Sequence, residues 1–280
     1  MKAAQTPVEQ ESSVTITPLQ RLLGKLWWGP FRRPFEAICR RALRRHRVLS
    51  GPLRGARFTG GLAQRLGVYE LPAQETMVRH LRPGGVCYDI GGHNGYMSLL
   101  AARIVGPKGR VFTFEPVEAN RRLLELALEQ NGCQQVSLES FAVASETGHS
   151  TLFLGTGRAT TEASLVADSE PSSSRQEGAQ EEGETVQVST IRLDDFVSNH
   201  PPPNFIKMDI EGAEGQALEG ARDLLASQTP PTWLIEVHDP ANDTAVQRLL
   251  TAASYTLTPI EPVREGGRLY PKHVLAVPKG

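Results

Sequence analysis

The sequence predicts an α/β protein with a doubly wound, mostly parallel sheet of seven strands. Two observations support this fold class. From Gly84 onward, short apolar runs alternate with segments whose apolar residues recur at helical spacing, which indicates strands joined by helical crossovers. The last two runs, SYTLTPI and HVLAVP, are separated only by turn residues around Gly266 and Gly267. Such a pair indicates an antiparallel strand at the edge of the sheet.

The chain before Gly84 differs in composition from the rest. Residues 1–20 are polar and lack an apolar period, so we expect a disordered leader there. Residues 21–83 form a basic, partly helical N-terminal extension, in which Glu36 is the only carboxylate between Arg21 and Arg57. The sheet domain then occupies residues 84–280.

The predicted strands of this domain are GGVCYDI, GRVFTFEP, VSLESFAV, NFIKMDI, WLIEVH and the closing pair. Between the third and fourth of these, the runs STLFLG and TVQVSTIRL are two further strands. They flank residues 155–184, an acidic stretch without an apolar pattern. A stretch of this length and composition is either flexible or a functional lid, so we treat it as an acidic flexible insertion.

Composition excludes several classes of protein. With 39% apolar and 22% charged residues, the 280-residue chain is typical of soluble proteins, and no run approaches the ~20 apolar residues that cross a bilayer. The first twenty residues lack the apolar stretch of a signal peptide. Three cysteines at irregular spacing form neither a disulfide framework nor a zinc site. These features predict a reducing, cytoplasmic location.

The first candidate site follows the first strand of the domain, in the turn DIGGHNGY. Glycines let the backbone turn tightly and approach a ligand, and the carboxylate of Asp89 can attract the ammonium of an amino-acid moiety. The turn lacks the G-x-G-x-x-G pattern of a dinucleotide site, and a tight turn without a ligand is the alternative. The predicted ligand contacts are Asp89, Gly91, His93, Asn94, Gly95 and Tyr96.

The second candidate site ends the next strand. Glu115 follows the glycine turn by about twenty residues, where an acid can hold the hydroxyls of a ribose. A helix cap is the alternative for this residue, since Pro116 favours a helix start. Ser140 and Phe141, at the end of the third strand, are then expected near an adenine ring.

Acidic residues also cluster at the ends of two later strands. Asp209, Glu211 and Glu214 follow NFIKM, and such a cluster needs a cation, a donor or a helix N-terminus. Glu236 and His238 end the adjacent strand, and histidine readily accepts a proton near neutral pH. A structural role for His238 is equally consistent with the sequence.

These motifs resemble the signature blocks of the FkbM family of methyltransferases, in order and in spacing. The matching blocks are residues 51–55 (GPLRG), 67–70 (GVYE), 89–96 (DIGGHNGY), 114–116 (FEP) and 206–214 (IKMDIEGAE). The resemblance implies a class I, Rossmann-like methyltransferase domain that binds S-adenosylmethionine. It also implies methyl transfer to a hydroxyl of a small-molecule or glycan acceptor, such as a sugar or a natural product.

A hydroxyl acceptor must lose its proton as it attacks, so a general base is expected. His238 is the first candidate, Asp209 the second, with Glu211 beside them, and Glu70 and Glu236 are expected to face the acceptor. Alternatively, Asp209, Glu211 and Glu236 hold a divalent cation, for which an oxygen-rich ligand set suits magnesium.

The extension carries a basic, aromatic segment, LWWGPFRRPF followed by RRALRR. It can pack on the domain or mediate self-association, or it can contact an anionic membrane surface peripherally. Nucleic-acid binding is the weakest of these alternatives, since no RNA-binding signature accompanies the charge.

Two other functions compete with methyl transfer. One is a nucleotide-cofactor oxidoreductase of the NAD type, which the missing G-x-G-x-x-G disfavours. The other is a catalytically inactive cofactor-binding protein of the same fold, which the acids and His238 disfavour.

Overall fold

The computed structural model describes residues 14–28, 33, 39, 47–154, 163–165, 184–265 and 268–279. Most of the predicted leader lies outside this part of the chain, and the first helix begins at Pro18, before that leader was expected to end. The predicted insertion over 155–184 lies outside it except for 163–165 and Glu184, as does most of the basic, aromatic segment. These expectations therefore stay predictions.

The described strands form two sheets. They are β1 Val86–Ile90, β2 Arg110–Phe114, β3 Val136–Glu139, β4 Ala142–Val143, β5 Gly148–Leu154, β6 Ala163–Leu165, β7 Glu184–Ile191, β8 Phe205–Met208, β9 Thr232–Glu236, β10 Tyr255–Glu265 and β11 Arg268–Pro278. The described helices are α1 Pro18–Trp28, α2 Leu62–Leu66, α3 Leu71–His80, α4 Tyr96–Val105, α5 Glu118–Asn131, α6 Leu193–Val197, α7 Glu214–Glu219, α8 Arg222–Leu225 and α9 Pro240–Ala252.

The main sheet confirms the predicted fold class. Its seven strands have the order β10-β11-β9-β8-β1-β2-β3, and β11 runs in the direction opposite to the other six. This antiparallel strand is one position in from the edge, because the chain inserts it between β9 and β10. The strand order reverses between β1 and β8, and ligands of doubly wound sheets bind at such a switch point.

The third predicted strand is divided between two sheets. VSLESFAV was expected to form one strand, but β3 pairs with β2 in the main sheet, whereas β4 pairs with β7 in a second sheet. That second sheet has the order β4-β7-β5-β6, and β5 and β7 are the two strands predicted around the acidic stretch. The chain therefore changes sheets at Ser140 and Phe141, directly after the edge strand β3.

Apolar side chains cover both faces of the main sheet. Along β1, Tyr88 and Ile90 pack with the layer of α6 to α9, whereas Cys87 packs with the layer of α3 to α5. This alternation is the period of a strand with helices on both faces. Among the described residues, no helix combines the length and apolar character that a membrane crossing requires.

Within the extension α1 packs on α2, whereas α3 packs on the domain, where Met77 shares a core with Leu99 and Leu100 of α4. Leu23 and Trp27 of α1 are buried against Leu66 and Val68. Gln20 is fully buried and donates from Nε2 to the Gly67 carbonyl at 2.5 Å and to Gln74 Oε1 at 3.0 Å. These contacts hold the turn that leads to Tyr69 and Glu70.

Candidate active site

A cavity of about 470 Å³ opens at the carboxyl ends of β1, β2 and β8. This volume is within the range of small-molecule sites. Other elements also contribute to its wall, among them α2 with Gln64, the turn before α3 with Tyr69, and the second sheet with Leu152. The cavity therefore lies where the strand order predicts a ligand.

The glycine turn forms one wall of the cavity because its backbone approaches the loop after β8. Gly91 has φ 84°, and a Cβ at this position would lie 1.8 Å from the Asp209 carbonyl oxygen. His93 has φ 47°, a left-handed conformation that a non-glycine residue rarely adopts. Gly91, His93 and Asn94 line the cavity, as predicted.

Other residues of the turn lie in the core instead. Tyr96 is buried and packs edge-to-face against Phe58 and Tyr69, with ring centroids 5.3 and 5.6 Å apart. Gly95 precedes α4 and, like Tyr96, is not part of the cavity wall. The predicted ligand contacts of these two residues are therefore corrected to structural roles.

Asp89 is also wholly buried and does not line the cavity. Its Oδ2 accepts a 2.6 Å hydrogen bond from Ser98, and burial raises the pKa of its carboxyl group. A direct contact with an ammonium group, as the sequence suggested, is not available at this position. The Asp89 carboxylate instead lies in the protein core, next to Ser98.

Glu115 does line the cavity, and three donors of the chain fix its carboxylate. Oε2 accepts from the His93 amide at 2.7 Å, whereas Oε1 accepts from the Val117 amide at 2.9 Å and Asn120 Nδ2 at 3.3 Å. Burial raises the pKa of this group, and the hydrogen bonds oppose that rise. A carboxylate has about four acceptor positions, so about one remains for a ligand.

The apolar side of the cavity comes from the place where the chain changes sheets. Phe141, Ala142 and Val143 line it together with Leu152 of β5. Phe141 was predicted near an adenine ring, and it is part of this apolar surface. Ser140 was expected there too, but it is not among the lining residues.

The acids after β8 form an ion-pair cluster with Lys207 and His238. Lys207 Nζ lies 3.0 Å from Asp209 Oδ2, and His238 Nε2 lies 3.3 Å from Asp209 Oδ1 and 3.2 Å from Glu211 Oε2. His238 Nδ1 faces Glu214 Oε1 at 2.9 Å. Asp209 and Glu211 line the cavity, whereas His238 lies behind them.

This environment changes the expected role of His238. Burial alone lowers the pKa of the imidazole, but hydrogen bonds and charges from Asp209 and Glu214 raise it to about 11. An imidazole with such a pKa is protonated at neutral pH and cannot accept another proton. The geometry therefore does not support His238 as the general base and makes it a cation that orients Asp209 and Glu211.

The pKa of Asp209 is lowered well below its usual range. Burial opposes this change, but Lys207 and His238 outweigh it. The pKa of Lys207 is raised because the charges of Asp209, Asp89, Glu70 and Glu236 outweigh the effect of burial. Asp209 is therefore a stable carboxylate at the cavity wall.

The three predicted magnesium ligands do not come together as one group. Among the described residues, Asp209 and Glu236 share a compact cluster with His238 rather than with Glu211. Lys207 and His238 already neutralise Asp209, and an imidazole ligand suits magnesium poorly. The arrangement gives the magnesium prediction no support.

Glu70 and Glu236 lie behind the cavity wall rather than in it. Glu236 Oε2 is 3.3 Å from His273 Nε2, and Glu70 Oε2 is 3.9 Å from the same nitrogen. Their predicted contacts with an acceptor are therefore replaced by contacts with a buried histidine. The sequence carried no signal for His273, because only the pairing of β11 with β9 brings it opposite Glu236.

The sequence also failed to predict several other residues that line the cavity. Asn120 is one of them, although its place five residues after Glu115 at a helix start is a usable signal. Gln64 contacts the Asn94 side chain at 3.2 Å, and Leu152 comes from the second sheet. Neither has a pattern in the sequence that relates it to the glycine turn.

Comparison with protein families gives one match: a family model described as Methyltransferase FkbM domain matches residues 89–257, more than half of the chain. The matched part contains the glycine turn, Glu115 and the acids after β8. No curated protein matches the chain.

Solved structures offer weaker likenesses. The chain is 16% identical to methyltransferase FkbM from Methylobacillus flagellatus, over 89% of this chain and 72% of that one, with a TM-score of 0.48. It is 13% identical to an SAM-dependent O-methyltransferase from Thermotoga maritima (75% and 66% covered, TM-score 0.44). It is 10% identical to Aeropyrum pernix fibrillarin with natively bound S-adenosyl-L-methionine (71% and 68% covered, TM-score 0.42). Sequence identities and TM-scores this low do not indicate which residues of this chain bind a ligand.

Proposed function

This chain belongs to the FkbM methyltransferase family, and we propose on that premise that it binds S-adenosylmethionine and methylates a hydroxyl group. Its fold is the class I methyltransferase fold. One observation carries the proposal: the cavity at the switch point has the Glu115 carboxylate in one part of its wall and the Asp209 and Glu211 carboxylates in another. The part of the wall with Glu115 suits a nucleoside, and the part with Asp209 and Glu211 suits a methyl acceptor.

The residues present fit S-adenosylmethionine. The apolar surface of Phe141, Val143 and Leu152 matches an adenine, and the free acceptor position of Glu115 matches a ribose hydroxyl. A carboxylate-lined cavity also favours a cationic ligand. When bound, S-adenosylmethionine supplies a methyl group on a positively charged sulfur.

Asp209 and Glu211 hold the acceptor in this proposal. Their oxygens accept hydrogen bonds from an acceptor hydroxyl and align its oxygen for in-line attack. A hydroxyl becomes strongly acidic as its oxygen donates electrons to a new bond. A weakly basic carboxylate can therefore take the proton late in the reaction, and Asp209 is our candidate.

Lys207 and His238 act as positioning residues behind these carboxylates. They fix the Asp209 oxygens from two sides, and His238 also contacts Glu211. Removal of His238 leaves three carboxylates, those of Asp209, Glu211 and Glu214, close together without their shared cation. Their mutual repulsion would then displace the acceptor site.

The acceptor we propose is a sugar, a glycan or another polyhydroxylated natural product. Neighbouring carboxylates provide several acceptors for adjacent hydroxyl groups, and Tyr69 contributes an aromatic surface at the same cavity. The resemblance to the FkbM family supports the same class of acceptor.

Calorimetric titration with S-adenosylmethionine and with NAD tests the cofactor. We expect binding of the first and none of the second; the reverse result would contradict the proposal. Transfer of a labelled methyl group to a panel of sugars, followed by mass spectrometry, tests the reaction. Cofactor binding without transfer to any hydroxyl in the panel, or transfer only to nitrogen acceptors, would count against O-methylation.

A further inference from the structure

Glu70, Glu236 and His273 form a second polar cluster that the proposed reaction does not use. Their ligand atoms, two carboxylate oxygens and one imidazole nitrogen, all lie within 4.8 Å of one another. His273 has no exposed surface, and the side chain of Glu70 is 7% exposed. We propose that this cluster is a binding site for a divalent transition-metal cation of the Zn²⁺ or Mn²⁺ type.

The burial of Glu70 favours a cation at this cluster. Its Oε2 is buried and accepts no hydrogen bond from the part of the chain that the structure describes. A buried carboxylate oxygen in this state costs free energy unless a cation or a proton satisfies it. Oε2 points toward His273 and Glu236, so the unsatisfied atom is directed into the cluster.

The balance of charge around the cluster also favours a cation. Glu70, Glu236, Asp209 and Asp89 all surround Lys207, whose ammonium pairs with Asp209 at 3.0 Å. Glu70 and Glu236 both face His273, at 3.9 and 3.3 Å, and two buried carboxylates at one site repel each other. A dication removes the excess negative charge.

The distances between the donor atoms and their chemical types also fit such an ion. Ligands of one tetrahedral ion with bonds of about 2.1 Å lie about 3.4 Å apart. Glu236 and His273 are already 3.3 Å apart, and Glu70 needs to move only slightly from its 3.9 Å separation. One imidazole and two carboxylates suit zinc or manganese, whereas magnesium prefers oxygen ligands and several waters.

The site differs from the Asp209, Glu236 and His238 cluster, although the two share Glu236. Protein cations already pair with Asp209 there, and His238 contacts three carboxylates. The proposed ion also joins three separate elements: the turn before α3, the end of β9 and β11. It would therefore tie the N-terminal extension to the main sheet.

Equilibrium dialysis of the full-length chain tests the site. Protein freed of metal with a chelator is dialysed against Zn²⁺, Mn²⁺ or Mg²⁺, and bound metal is counted by mass spectrometry. We expect one equivalent of Zn²⁺ or Mn²⁺ and at least tenfold weaker binding of Mg²⁺. Glu70→Gln and His273→Gln should each weaken Zn²⁺ binding at least tenfold, whereas His238→Gln should leave it unchanged.

Thermal unfolding provides a readout that does not depend on activity or on one variant. Zn²⁺ should raise the Tm of the wild type and not that of Glu70→Gln. In chelator, Glu70→Gln should be at least as stable as the wild type, since it removes an uncompensated charge. Absence of metal binding, or binding lost only in His238→Gln, would overturn the proposal. Absence of binding would mean that protons neutralise the carboxylates of this cluster. Loss of binding only in His238→Gln would mean that the ion binds to Asp209, Glu236 and His238.

Discussion

Left-handed backbone conformations concentrate at the cavity wall and directly behind it. Of the described residues other than glycine, four have positive φ, and Glu70, His93 and Glu211 are three of them. Such conformations cost about 1–3 kcal/mol each and persist where the surrounding structure determines them. At His93 the conformation directs the amide to Glu115 at 2.7 Å. The strain thus orients the carboxylate that we assign to the ribose.

Glu115→Gln should weaken S-adenosylmethionine binding about 10- to 100-fold, because one charge-assisted hydrogen bond of about 1.5–3 kcal/mol is lost. Titration calorimetry measures the change. Glu118→Gln is the matched control, since Glu118 is exposed in the first turn of α5 and does not line the cavity. If both variants fold and bind S-adenosylmethionine with equal affinity, Glu115 does not hold the ribose.

The pH dependence of methyl transfer tests the role of His238. Because its pKa is raised to about 11, the imidazole stays protonated across neutral pH. We therefore expect kcat to show no imidazole titration between pH 6 and 8. A kcat that rises tenfold per pH unit below 6.5 and then levels would restore His238 as the base.

The sequence predicted which residues lie at the cavity where a strand end determined their position, although their roles stay predictions. Glu115, Phe141, Asp209 and Glu211 line the cavity because each follows a strand of the parallel sheet or its continuation. Asp89 and Tyr96 also flank the glycine turn, yet their side chains point into the core. Spacing along the chain locates a turn but does not give the direction of each side chain.

At the level of elements, the glycine turn and the loop after β8 are coupled by direct backbone contact. Gly91→Ala should destabilise the protein for two reasons: a left-handed residue costs about 1–2 kcal/mol, and the overlap with the Asp209 carbonyl adds about 1–3 kcal/mol. Urea unfolding measures the total.

Gly55→Ala is the matched control for this change. Gly55 has φ 85°, but a Cβ there would meet no atom within 4 Å. It should show only the conformational cost of about 1–2 kcal/mol. If both variants lose equal stability, the close approach at Gly91 has no energetic importance.

The division of VSLESFAV between two sheets was the main error in predicting elements. Its apolar residues continue without a break, so periodicity indicates one strand. The division depends on the pairing of β4 with β7, which lies more than forty residues later in the chain. A long-range pairing of this kind leaves no local pattern.

For the molecule as a whole, the buried charge cluster determines how stability depends on pH. A group with a raised folded-state pKa contributes stability that is complete below its unfolded pKa and is lost as pH rises through the folded value. For His238 these limits are about 6.5 and about 11. Asp209 has a lowered pKa, so its contribution is already complete above about pH 4.

The free energy of unfolding should therefore fall by up to about 1.4 kcal/mol per pH unit more steeply in the wild type than in His238→Gln between pH 7 and 10. Urea unfolding at three pH values measures both slopes. Cysteines and tyrosines that titrate in this window affect both proteins alike. Parallel slopes would mean that His238 is not a cation in the folded protein.

The pairing of β5 with β7 has a consequence for chain entropy. Leu154 and Glu184 are register partners, so the sheet already brings together the two ends of the segment between them. Once the ends are fixed, each doubling of the length of a connecting chain costs only about 0.6 kcal/mol. We therefore expect changes of length that keep β6 paired with β5 to be inexpensive, while Leu152 of β5 keeps its place in the cavity wall. The fold can vary there in length and composition without moving the residues that we assign to the cofactor.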